Sequence, residues 1–73
     1  MKREKGEIEI IVNGFKERVP NRATIAFLLR HFEEETPHLI VEHNGEFVHP
    51  EEYFGRTVSE GDKLEFLNPA FGG

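Results

Sequence analysis

Cysteine is absent from the 73 residues. That excludes a disulfide, a thiolate metal site and a cysteine nucleophile. Long apolar runs are absent too. The longest, such as Ile10-Ile11-Val12, fall far short of the ~20 residues a membrane-crossing helix needs. Positive charge is scarce: nine Lys and Arg face fourteen Asp and Glu, a net charge of −5. This balance argues against nucleic acid, whose phosphates are held mainly by Lys and Arg, and against an anionic membrane surface. A basic protein partner suits it better. The charged opening Met1-Lys2-Arg3-Glu4-Lys5-Gly6 is followed by no apolar secretory segment, so the expected compartment is the cytoplasm, with residues 1–6 a frayed end.

What is present fits one small domain over residues 1–73. A chain this short buries only about 60% of the surface its unfolded form exposes, which leaves little room for a deep catalytic pocket. Function is therefore expected at the surface or at an end, and no catalytic residue is expected within the chain.

Residues 7–12 alternate, with Ile8, Ile10 and Val12 on one face and Glu7, Glu9 and Ile11 on the other. This is a half-buried strand. Asn13-Gly14 suits a two-residue hairpin turn with both φ angles positive, and residues 15–19 return as a second strand. The period then changes. Ile25, Leu28, Leu29 and Phe32 recur at helical spacing, with Thr24 placed to cap the first turn. Pro37 is expected to stop this helix by about Glu35, leaving Glu33, Glu34 and Glu35 unfavourably against its negative end.

Residues 39–43, the turn Asn44-Gly45 and residues 46–48 repeat the hairpin pattern. Residues 49–55 form a connector with one short helical turn. Residues 63–68 give a last strand, and residues 69–73 are expected to be a flexible tail. One helix and a sheet, each with a single apolar face, can bury one another in two layers. The expected fold is α+β, the ubiquitin-like β-grasp, with a mixed sheet of four to five strands on one main helix.

The chain ends Gly72-Gly73. Chance gives this in roughly 0.5% of sequences at average glycine usage. Two residues without Cβ can thread a narrow channel and present the α-carboxylate of Gly73 to an attacking group. A carboxylate is inert at neutral pH until activated, for example as an acyl-adenylate made with ATP. With no cysteine available, such a chain can carry sulfur only as a terminal thiocarboxylate.

Three segments in order carry a resemblance: Asn44-Gly45-Glu46-Phe47-Val48-His49-Pro50-Glu51-Glu52-Tyr53, then Val58-Ser59-Glu60-Gly61-Asp62-Lys63-Leu64-Glu65-Phe66, then Gly72-Gly73. Together they resemble the ThiS family of thiamine-type sulfur carriers, within the wider ThiS/MoaD superfamily. The resemblance implies a carrier, not an enzyme. It implies adenylation of Gly73 by a ubiquitin-activating-type enzyme (ThiF- or MoeB-like) that uses ATP, conversion to a thiocarboxylate, and donation of the sulfur to thiazole synthase. Phe71 is bulky where a small residue often precedes the glycines, and the charged opening segment is longer than is usual.

Other readings stay open. The ending Leu67-Asn68-Pro69-Ala70-Phe71-Gly72-Gly73 also resembles the molybdopterin synthase small subunit, whose partner is the large subunit. A ubiquitin-like modifier, a carrier for tRNA thiolation and a plain interaction module share the same fold. Phe71 is a candidate aromatic anchor for a partner, extended by Leu67 and Ile11 on outward positions. His31, His38, His43 and His49 lack metal-ligand spacing and read as surface or turn residues, so no metal site and no bound cofactor are expected.

Overall fold

The computed structural model describes residues 6–69. Residues 1–5 and 70–73 lie outside this range, and with them most of the expected frayed opening, most of the expected tail, and Phe71, Gly72 and Gly73. The elements run β1 (Glu7–Val12), β2 (Phe15–Pro20), α1 (Ile25–His31), β3 (Ile40–His43), β4 (Glu46–Val48), a 3-10 turn (Pro50–Glu52) and β5 (Lys63–Leu67). The sheet order is β2-β1-β5-β3-β4. β1 and β5 are parallel and the other pairs antiparallel. The last strand thus lies at the centre of the sheet.

Both Asn-Gly pairs form the expected two-residue hairpins. Asn13 and Gly14 have φ of 50° and 88°, and Asn44 and Gly45 have 54° and 83°. The asparagines also serve the central strand. Asn13 Oδ1 accepts from the Phe66 N–H at 2.8 Å, and Asn44 Oδ1 accepts from the Lys63 N–H at 2.8 Å. Each turn side chain therefore ties its hairpin to β5.

The inner face of the sheet carries Ile8, Ile10, Val12, Val19, Val41, Val48, Leu64 and Phe66. Ile25, Leu28 and Leu29 of α1 close over it. Thr24 caps α1 as expected, its Oγ1 accepting from the Phe27 N–H at 3.0 Å. The first two N–H groups of α1, on Ile25 and Ala26, donate to the Arg56 and Tyr53 carbonyls. The start of the helix is thereby docked on the connector, and no first-turn donor from Ile25 to Phe27 is left unpaired.

The helix ends at His31, four residues before the limit set by Pro37. Glu33 takes φ +55°, the Glu34 N–H donates to the Leu29 carbonyl at 2.7 Å, and the Glu33 N–H donates to the Arg30 carbonyl at 3.1 Å. This is a Schellman cap, built here on a glutamate where glycine is usual. The three carboxylates lie outside the helix, and Arg30 and His31 occupy its last turn, which matches the sign of the helix dipole.

Candidate functional site

Because β5 is central, the chain leaves the sheet between β1 and β3, not at an edge. Leu67 pairs with Ile40 across the β5–β3 ladder. Just beyond, Thr36 Oγ1 donates to Asn68 Oδ1 at 2.8 Å. This bond fastens the root of the C-terminal segment to the loop between α1 and β3.

Leu67 is 42% exposed on the outer face of the sheet. Ile40, beside it, and Phe47, diagonal to Ile40 on β4, are exposed on the same face. His49 meets the Phe47 ring edge-on at 4.6 Å. These side chains form an apolar patch next to the chain's exit. Ile11 also faces outward but pairs with Lys63, four residues before Leu67. It lies about 13 Å along the strand from Leu67, with Lys63 and Glu65 between. The structure thus gives Leu67 neighbours that its sequence position did not reveal, and sets Ile11 apart. Ile40 and Phe47 occupy outward positions in their strands, and that parity was the available signal. Their approach to Leu67 depends on the long-range β3–β5 pairing.

The patch is bordered by acid. Glu42 stands opposite Phe47 on one side and Glu65 on the other. Like charges directly opposite one another in a ladder are destabilising.

The described chemistry-bearing side chains gather on the inner side, at the end of the sheet remote from the exit. His43, expected as a surface or turn residue, is buried, 7% exposed. It faces inward two residues after Val41, and its imidazole is flanked by Asp62 Oδ2 at 2.7 Å and Arg56 Nε at 2.9 Å. Arg56 continues to Glu52 and Glu46, each at 2.8 Å. These carboxylates hold the guanidinium pKa above its ordinary value. Burial pushes the Asp62 carboxyl upward, but hydrogen bonds from His43, the Ser59 N–H and Asn44 outweigh it and leave the group below its ordinary value. The two ring nitrogens of His43, the Asp62 carboxylate and the Arg56 guanidinium are each engaged by another protein group. Among the described residues no buried side-chain nitrogen or oxygen lacks a partner, and no group of three or more acids and histidines is placed to hold a metal ion. The cluster joins β3, β4, the connector and the turn before β5, and it positions β5. None of the described helices is long and apolar enough to cross a membrane.

A five-stranded mixed sheet over one helix, with the C-terminal strand in the middle, defines a ubiquitin-like β-grasp protein. The ThiS family model matches residues 6–73, and the chain belongs to that family. It is similar to the crystal structure of thiamine biosynthesis protein ThiS from Geobacter metallireducens, with 30% identity and a TM-score of 0.79, covering 90% of this chain and 100% of that one. A search of curated protein sequences finds no match.

Proposed function

We propose that this protein is a sulfur carrier for thiamine thiazole synthesis, working through the carboxylate of Gly73. The observation that carries this reading is the ThiS family match, which runs to Gly73 and so includes Gly72-Gly73. In the proposed scheme a ubiquitin-activating-type enzyme joins the Gly73 carboxylate to the α-phosphate of ATP and releases pyrophosphate. Attack by a hydrosulfide-level donor forms the C–S bond, breaks the acyl C–O bond and releases AMP. The thiocarboxylate then delivers sulfur to thiazole synthase. The chain supplies the reacting carboxylate and a docking surface, and the ATP belongs to the activating enzyme.

The patch of Leu67, Ile40 and Phe47 suits the contact with that enzyme, to which Phe71 would add an aromatic side chain. Burying apolar area there would add affinity. Glu42 and Glu65 would pair with cations on the partner, which accounts for acids placed at some cost to the isolated fold.

The test is ATP–pyrophosphate exchange with the cognate activating enzyme. Exchange is expected with the 73-residue chain, to vanish when Gly73 is deleted, and to be weak for Gly72→Ala, with folding unchanged in both variants. Exchange that persists without Gly73 would contradict the reading.

A further inference from the structure

On the helix side of the molecule, away from the outer sheet face, lies an open apolar groove of about 670 Å³. It runs between α1, the loop after it and the connector, and its lining includes Phe27, Leu39, Tyr53 and Phe54. Phe54 is 84% exposed and Phe27 is 43% exposed. Phe27 also stacks on His31 one helical turn further on, with ring centroids 5.6 Å apart, which widens the aromatic rim. The outer-face patch accounts for the exposure of Ile40, Phe47 and Leu67 and leaves these two phenylalanines without a role. Exposed aromatic surface grouped around a concave site marks a contact, whereas single exposed apolar side chains do not.

We propose that this groove is the contact between two copies of this chain related by a two-fold axis, with Phe54 of each copy seated in the groove of the other and Arg30 of each paired with Glu35 of the other. Three observations select a second copy as the occupant. The first is shape. Phe54 is the most exposed large apolar side chain among the described residues, and it stands on the rim of the groove. Knob and hole on one patch make that patch complementary to itself, as a two-fold contact requires.

The second is the pairing of charge. The lining holds one cation, Arg30, and one anion, Glu35. Neither side chain has a hydrogen-bond or ion-pair partner among the described residues. A two-fold axis sets each against its opposite and makes two ion pairs from one patch. A wholly basic partner would satisfy Glu35 and oppose Arg30, and a wholly acidic one would do the reverse.

The third is the balance of charge. The chain carries −5 overall, which opposes self-association through most of its surface. A two-fold contact through the outer patch would bring Glu42 and Glu65 against their own copies. The groove lining is neutral in sum. A few aromatic contacts and two surface ion pairs make a weak dimer, dissociating at roughly 0.05–1 mM. The outer sheet face stays open in both copies, so the inference takes nothing from the proposed carrier function.

The experiment is sedimentation equilibrium of the 73-residue chain from about 20 μM to about 2 mM, a range that brackets the expected constant. A monomer–dimer equilibrium is expected, and ¹H–¹⁵N spectra over the same range should shift at Phe27, Arg30, Tyr53 and Phe54. Phe54→Ser should weaken association about tenfold or more, as removal of an interface anchor does. Arg30→Glu and Glu35→Arg should each weaken it by roughly fivefold, because attraction becomes repulsion in both pairs. An equal mixture of the Arg30→Glu and Glu35→Arg chains should associate more tightly than either alone, since both pairs are then attractive again. The dispersion of the same spectra reports that each variant is folded. A chain that stays monomeric at the highest concentration would overturn the inference. So would a dimer indifferent to Phe54→Ser, shifts that fall instead on Ile40, Phe47 and Leu67, or a mixture no tighter than its components.

Discussion

Arg56 donates from Nε to Nδ1 of the buried His43 at 2.9 Å. An arginine side chain has donors and no acceptor, so Nδ1 must carry a lone pair. Nε2 therefore carries the proton and donates to Asp62. The hydrogen bonds select the Nε2–H tautomer, between a cation and an anion. Long-range ¹H–¹⁵N spectra should show His43 in this tautomer, and a predominantly Nδ1–H tautomer would contradict the network. Arg56→Leu strands the Nδ1 acceptor and frees Glu46 and Glu52, and should cost about 2–3 kcal/mol in denaturant unfolding.

The same cluster sets an acid limb on stability. The folded state holds ionised Asp62 more tightly than the unfolded chain does, because its pKa is lowered. This contribution is complete above the unfolded value of about 3.9 and is lost as pH falls through the lower folded value. Asp62→Asn should therefore be less stable than the parent by about 1–3 kcal/mol near pH 6. The gap should narrow as pH drops below about 4. A gap independent of pH between 6 and 3 would show that the carboxylate's charge contributes nothing.

Glu33 closes the helix with φ +55°. A residue with a Cβ pays about 1–2 kcal/mol to sit in the left-handed region, and glycine does not. Glu33→Gly loses part of this gain to the greater entropy of its unfolded chain. It should still stabilise the protein by about 0.5–1 kcal/mol, seen as a Tm several degrees higher. A lower Tm would mean that the glutamate side chain makes a compensating contact.

Glu65 faces Glu42 across the β5–β3 ladder. Glu65→Lys turns a repulsive pair into an attractive one and should raise the stability of the free protein by about 0.2–1 kcal/mol. It should at the same time slow association with the activating enzyme, most of all at low salt. Ile40→Ser and Phe47→Ser should leave the fold intact and weaken that complex about tenfold or more, as removal of a central apolar anchor does. Unchanged binding in both serine variants would move the contact to another face.

The hairpins were legible in the sequence because Asn-Gly turns and strand alternation are local chemistry. Thr24 as the cap of α1 was legible for the same reason. The end of that helix was not, because Pro37 sets only an outer limit, whereas the Schellman hydrogen bonds onto Leu29 and Arg30 decide the stop. His43 read as a turn histidine because its partners, Arg56 and Asp62, lie 13 and 19 residues away. The apolar patch was half visible. Leu67 was picked out by its parity, but Ile40 and Phe47 join it only through the pairing of β5 with β3 and of β3 with β4.

The most direct measurement is the intact mass of the protein isolated from cells that contain its activating enzyme and an active sulfur supply. A sulfur carrier should show a fraction heavier by the exchange of one oxygen for one sulfur, mapped by fragmentation to Gly73 and lost in the chain without it. A protein that stays unmodified under those conditions, or whose added sulfur maps elsewhere, would contradict the carrier function.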